Sequence, residues 1–229
     1  MPVGLRVFTK IRRPEKVLIE SFEGIPTANI ADNMGRITCV GTGIRPFNKI
    51  PLLGCAFTVK APLGDNLMFH KAIDMAQPGD IIVVDGEGCM DHSLCGEIMF
   101  SYAKAKGIAG FLIDGCIRDV DSLETLGFSV YARGVQPKGP YKNGPGEINV
   151  PVSIGSQVVC PGDIIVGDGD GVVIIKPADA EYLLEKSTDQ FKNEQKAFED
   201  IAKGTYNRDW VDKTLADKGV EIIDDYVRY

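Results

Sequence analysis

Apolar and polar positions recur with two different periods along this chain, and the change from one to the other marks its elements. Short Ile/Val-rich runs bounded by Pro-Gly and Asp-Gly pairs read as strands. The clearest are PGDIIVVDGEG, Pro78 to Gly88, and PGDIIVGDGDG, Pro161 to Gly171. Each is a Pro-Gly turn, a strand and an acidic Gly-rich turn. Two copies are too few for a solenoid, which needs about three or more repeats. They mark two similar strand–turn corners of one β-rich core. The second copy runs on into Val172–Ile175. An Asp-Gly turn between two β-branched runs predicts a hairpin of Ile164–Val166 against Val172–Ile175.

Elsewhere the spacing lengthens to that of a helix. Asp65 or Asn66 is placed to cap a helix running to Ala76, with Met68, Ala72 and Met75 on one face. Ser93 is placed to cap the next, which closes on Lys104-Ala105-Lys106-Gly107. IAGFLID, Ile108 to Asp114, follows as a buried strand. A short helix from Val120 to Leu126 and a strand from Phe128 to Ala132 complete a βαβ-like passage. From Ala178 to Lys203 the composition is charged and helix-forming, ending at Gly204, and the tail beyond holds the sole tryptophan, Trp210. A polar helix outside the core often packs on a neighbouring subunit, so residues 178–229 are expected at an interface. No linker interrupts the pattern, and 1–229 is expected to be a single domain.

Composition narrows the classes. With 229 residues, 44% hydrophobic and 25% charged, the chain is an ordinary globular one, neither disordered nor fibrous. Its 25 Lys+Arg against 32 Asp+Glu give a formal net charge of -7, and no basic run appears. Such a surface repels nucleic acid and anionic membranes. No apolar run reaches the roughly 20 residues of a membrane span. MPVGLRVFTKIRRPEK has no long apolar stretch behind its charges, so no secretory signal is expected there, and a cytoplasmic location is. Cys39, Cys55, Cys89, Cys95, Cys116 and Cys160 form no CxxC pair and read as free thiols, mostly small buried hydrophobes.

One stretch carries chemistry: GEIMFSYAKAKGIAGFLIDGCIRDVDSL, Gly96 to Leu123. It sets Glu97 in the first turns of a helix and Arg118-Asp119 just past a strand. Ligands of open α/β sheets gather where loops leave the carboxyl ends of strands and helix N-termini point inward. Gly96 admits a ligand close to the backbone, and the first helical N–H groups are free to bind an anion. Carboxylates suit Mg2+ or Mn2+, and a guanidinium suits a carboxylate or an enolate. An Arg-Asp pair is also a common cap or salt bridge, and Glu97 an ordinary helical charge.

The spacing Glu97, twenty residues, Arg118, Asp119 resembles the Asp/Glu-x20-Arg-Asp signature of the 4-hydroxy-4-methyl-2-oxoglutarate / 4-carboxy-4-hydroxy-2-oxoadipate aldolases, the RraA-like family. GDNLMFHKAIDMAQPGDIIVVD (Gly64 to Asp85), GDGDGVVIIKPADAEYLL (Gly167 to Leu184) and LADKGVEII (Leu215 to Ile223) extend the likeness over most of the chain. It implies an α/β fold, a swivelling β/β/α-type sandwich core with a long C-terminal helix and tail. It implies a class II pyruvate aldolase that takes a small 2-oxo acid, with oxaloacetate decarboxylation as a second activity. By this resemblance Asp119 is the direct metal ligand and Glu97, often Asp in the family, holds the metal through water. The N–H groups around Gly96, Glu97, Ile98 and Met99 bind the pyruvate carboxylate, and Arg118 holds the C2 oxygen. A glutamate reaches in from the last long helix of an adjacent subunit of a homotrimer or homohexamer. Glu194 matches it, with Glu199 close by in the same helix.

Other residues invite a role. His70 sits mid-helix, where a packing role outweighs phosphotransfer. His92, just before the signature helix, is near enough to touch substrate. Asp168-Gly169-Asp170-Gly171 looks like the start of a calcium loop but lacks the later glutamate, and a hairpin turn explains it better. Lys60 could reach a pocket, although solvent is the commoner destination for lysine. Gly134 to Gly146 is placed to select the distal half of a substrate. The competing class is a non-catalytic regulator that binds ribonuclease E, against which the complete acidic set argues.

Overall fold

The computed structural model describes residues 2–227. In chain order it holds β1 (Leu5–Val7), α1 (Lys16–Glu20), α2 (Thr27–Asn33), β2 (Arg45–Pro46), β3 (Leu52–Lys60), α3 (Leu67–Met75), β4 (Asp80–Cys95) and α4 (Glu97–Ala105). There follow β5 (Gly110–Ile117), α5 (Asp121–Leu126), β6 (Ser129–Val135), β7 (Gly146–Ile148), β8 (Val152–Ile154) and β9 (Gln157–Val159). The hairpin β10 (Ile164–Asp168) and β11 (Gly171–Ile175), α6 (Ala180–Lys203) and α7 (Asp209–Asp217) complete the chain. Among the described residues, no helix is long and apolar enough to cross a membrane.

Four parallel strands, β3, β4, β5 and β6, form the centre of a mixed sheet. Both of its faces are covered, so its strands are apolar on both sides. Along β4, Ile82 and Val84 join Phe57, Phe69, Phe100 and Phe111 under α3 and α4. The alternate residues Ile81 and Val83 join Leu52, Leu112 and Tyr131 on the other face, which β8 and β9 cover through Val152, Ile154 and Val159. Phe111 is the hub of the first layer, with its ring 4.8 Å from Phe69 and 4.9 Å from Phe128, both edge-on.

The two Pro-Gly-Asp corners feed strands on opposite edges of β3. Cys55 opposes Asp80 of parallel β4 on one edge and Ile164 of antiparallel β10 on the other. Both aspartates are buried and paired: Asp80 takes a bidentate bond from Arg13 at 2.7 and 2.8 Å, and Asp163 binds Lys176. The expected hairpin forms, with Ile164 opposite Ile175 and Val166 opposite Val173. Asp168 closes it, accepting from Asp170 N at 2.9 Å and from Thr27 N and Oγ1 at 2.8 and 2.7 Å. A turn, not a calcium loop, accounts for it.

One helix start differs from expectation. Ser93 lies inside β4, where its N–H and hydroxyl both donate to the Lys138 carbonyl, at 2.8 and 3.1 Å. Three register shifts, between Asp85 and Cys95, let this polar segment stay paired with β5, so Gly96 rather than Ser93 precedes α4. At the preceding helix, Asp65 is the residue that caps: its Oδ1 accepts from Leu67 N at 2.9 Å.

Two compact units divide the chain after Thr188, within α6. In the second, none of α7 is buried, and Phe198, Ile201 and Trp210 are exposed.

Candidate active site

The sheet brings the ends of β4 and β5 side by side, and the chain leaves both at one place. Arg118 N donates to Cys95 O at 3.0 Å, extending the pairing one residue beyond β5. There Gly96 opens α4, and Arg118 and Asp119 lead into α5. Asp119 has φ 58, in the left-handed region that few side chains occupy. This turn swings its carboxylate back across the mouth of β4. Its Oδ2 accepts the Glu97 N–H at 3.1 Å and lies 3.6 Å from Arg118 Nε. Its main-chain carbonyl accepts from Ser122 Oγ at 2.8 Å and starts α5.

A carboxylate bonded to the first N–H of a helix is, on that evidence alone, a cap that favours the helix dipole. Two features go beyond a cap. Asp119 Oδ1 has no hydrogen-bond partner among the described residues. Gly96 is also needed here for room, not for conformation: its φ of -156 is open to any residue. A Cβ there would overlap Asp119 Oδ2 outright and come within 2.9 Å of Arg118 Cγ.

These residues line a cavity of about 200 Å³ with Asn66, His70, Cys95, Ile98, Met99, Pro140 and Lys142. That is below the usual span of drug-sized pockets and suits a small molecule. The N–H groups of Met99 and Phe100 turn back onto Gly96 O, and Glu97 N serves Asp119. Ile98 N has no internal partner among the described residues, as expected in the first turn of a helix. The Ile98 side chain is 85% exposed, and Met99 is buried beneath it. Cys95 is buried in the floor. Burial, and then the charge of Asp119, raises its thiol well above the usual range, so it stays protonated and is no nucleophile. His70 is half-buried on α3. Burial lowers its pKa, the charge of Lys142 lowers it further, and Asp74 opposes both.

Other candidates fall elsewhere. The Glu97 side chain is exposed at the start of α4. Glu194 and Glu199 lie in the second unit; there Glu194 Oε1 accepts from Gln190 at 3.2 Å and Glu199 pairs with Lys203 at 3.5 Å. His92 packs on Gly64 and meets Tyr141 at a tilt of 45°, ring centres 5.0 Å apart. Lys60 binds Asp85 at 3.2 Å. The sequence marks Asn66 only as a possible cap, His70 only as a packing residue and Lys142 only as part of a loop, and the structure brings all three to the cavity. Asn66 and His70 sit in the Gly64–Asp85 segment, and Lys142 in the loop named for specificity.

Among the described residues no three His, Cys, Asp or Glu side chains converge on one point. The donor set nevertheless fits a hard divalent cation. Asp119 offers one oxygen fixed by a backbone N–H and a second with no partner, and waters can complete octahedral coordination.

A model of the RraA-like family, described as aldolase/RraA, matches residues 27–174. A Halalkalibacterium halodurans protein provisionally named 4-hydroxy-4-methyl-2-oxoglutarate aldolase is 41% identical over 170 residues, 74% of this chain and 81% of that one. The crystal structure of an uncharacterized protein from Pseudomonas syringae pv. tomato superposes with a TM-score of 0.76 at 26% identity, covering 85% of this chain and 96% of the other. Streptomyces coelicolor RraAS2, described as an unusual member of the RNase ES inhibitor RraA family, gives 0.73 at 25%, covering 81% and 98%. The α/β architecture with its long C-terminal helix is thus an RraA-family fold.

Proposed function

The chain belongs to the RraA-like, aldolase/RraA family, and from that premise we propose that it is a metal-dependent lyase cleaving a 4-hydroxy-2-oxo dicarboxylate, such as 4-hydroxy-4-methyl-2-oxoglutarate or 4-carboxy-4-hydroxy-2-oxoadipate, to pyruvate and a second oxo acid. The observation that carries it is the meeting of Gly96, Arg118 and an Asp119 with an unpartnered oxygen on one small cavity. Mg2+ or Mn2+, held directly by Asp119 and through water by Glu97 and by Glu194 of an adjacent subunit, would supply Lewis-acid polarisation of the keto group.

The chain's own residues do the rest. The free N–H at the start of α4 and the positive end of its dipole receive the C1 carboxylate. Arg118 holds the C2 oxygen, where negative charge develops. The 4-hydroxyl gives its proton to a water among the carboxylates, the C3–C4 bond breaks, and its electron pair forms the enolate of pyruvate. Protonation at C3 completes the product. Oxaloacetate loses CO2 to the same enolate, so decarboxylation follows from the same site.

Purified protein is expected to release pyruvate from oxaloacetate and from 4-hydroxy-4-methyl-2-oxoglutarate with Mg2+ or Mn2+, and to stop on addition of chelator. No release with either metal would refute the lyase and turn attention to ribonuclease E binding. The assembly is a homotrimer or homohexamer whose site is shared through Glu194. Gel filtration should therefore find activity only in the oligomer, and an active monomer would overturn the shared site.

A further inference from the structure

The cavity holds a cation that this cleavage leaves unused. Lys142 lines it together with His70, and among the described residues its ammonium pairs with no carboxylate. Arg118 has Asp119 beside it; Lys142 has no such counter-charge.

The position of Lys142 is fixed by the chain on either side of it. Tyr141 N donates to Gly64 O at 2.8 Å, and Tyr141 O accepts from Asn66 N at 3.0 Å. Asn143 N and Gly144 N both donate to the buried carboxylate of Asp65. Further back, Ser93 holds the Lys138 carbonyl. The backbone is thus tied immediately before and after Lys142, and its side chain starts from a set point on the cavity wall.

We propose that Lys142 binds the carboxylate at the far end of the substrate, so that the site selects 2-oxo acids carrying a second anionic group. This rests on reading the cavity as a 2-oxo acid site. A space of about 200 Å³ has no room for a large ligand, so the second anion belongs to the same small molecule as the keto acid. Burial and then the charge of Lys142 lower the pKa of His70, which disfavours a second positive charge beside Lys142. Ile98 and Met99 line the apolar middle. A charge-assisted bond to a lysine this open to water is expected to give about a ten-fold preference.

The test is calorimetric binding to the metal-loaded protein of 2-oxoglutarate and 2-oxopentanoate. These uncleavable acids share their keto end and length and differ only in the distal carboxylate. Wild-type protein should bind 2-oxoglutarate about ten-fold tighter. Lys142→Met should bring it down to the level of 2-oxopentanoate and leave 2-oxopentanoate binding unchanged, which also reports an intact fold. Lys142→Arg should restore the preference. Equal binding of the two acids by wild type, or a preference surviving in Lys142→Met, overturns the role of Lys142 alone. Binding of neither acid overturns the 2-oxo acid reading and this inference with it.

Discussion

Asp119→Asn is expected to lower pyruvate release about a thousand-fold with either metal, the scale of several kcal/mol of lost transition-state stabilisation. Asparagine is the informative replacement because it keeps everything a cap would need. It tolerates the left-handed backbone at φ 58. Its amide oxygen can still accept the Glu97 N–H that Asp119 Oδ2 accepts at 3.1 Å. Only the negative charge is lost, and with it the oxygen that has no partner in the chain. If the carboxylate were merely a helix cap, asparagine would replace it with little change in either turnover or melting temperature. Initial rates beside a thermal melt separate the two. Turnover within ten-fold of wild type would sink the direct role of Asp119.

Gly96→Ala is the second large effect, expected at about a hundred-fold or more in turnover, comparable with losing an aligned oxyanion donor. The backbone at 96 would accept alanine without strain, so the whole cost is one of space. The new methyl overlaps Asp119 Oδ2 and meets Arg118 at Cγ, 2.9 Å, and Nε, 3.2 Å. Neither side chain can keep its place, and the Glu97 N–H loses its acceptor. Overpacking of this kind costs about 1–3 kcal/mol of stability, which lowers the melting temperature by several degrees in a chain this size. The signature of the effect is a folded protein whose apparent metal affinity and turnover fall together. Full activity in Gly96→Ala would mean that Asp119 and Arg118 do not act from these positions.

Part of the candidate site is legible in the sequence, because Gly96, Arg118 and Asp119 lie within one stretch and their types are chemically telling. Glu97, Arg118 and Asp119 stand at the spacing of the signature they resemble, and the structure brings Arg118 and Asp119, but not the Glu97 side chain, to the cavity; the hairpin Ile164–Ile175 is marked by its Asp-Gly turn. The start of α4 was misread for a physical reason. Gly, Asp, His and Ser from Asp85 to Ser93 carry the signals of a turn and a cap; the turn is there, at Glu87 and Gly88 with φ 57 and 69, but pairing with β5 through successive bulges keeps the segment in β4 up to Cys95. Tertiary pairing overrode local propensity. His70 escaped because nothing in a mid-helix histidine tells which of its neighbours is a cavity. Lys142 escaped for a related reason: the loop was recognisable, but which of its residues faces inward is set by Asp65 and Ser93, distant partners that local sequence does not reveal.

That tethering has a consequence for how this protein changes over time. Around residue 141 the segment runs alongside Asp65 like a short strand, and its side chains divide. Tyr141 packs on His92, while Pro140 and Lys142 line the cavity. The bonds that hold the segment come from the backbone and from residues outside it. The Lys142 side chain makes no hydrogen bond or ion pair with the described residues, so under the proposed role substitutions at 142 are expected to redraw the range of accepted acids while the scaffold stays as it is. A lineage can drift from one substrate to another by small steps at the wall, without passing through a form that fails to fold.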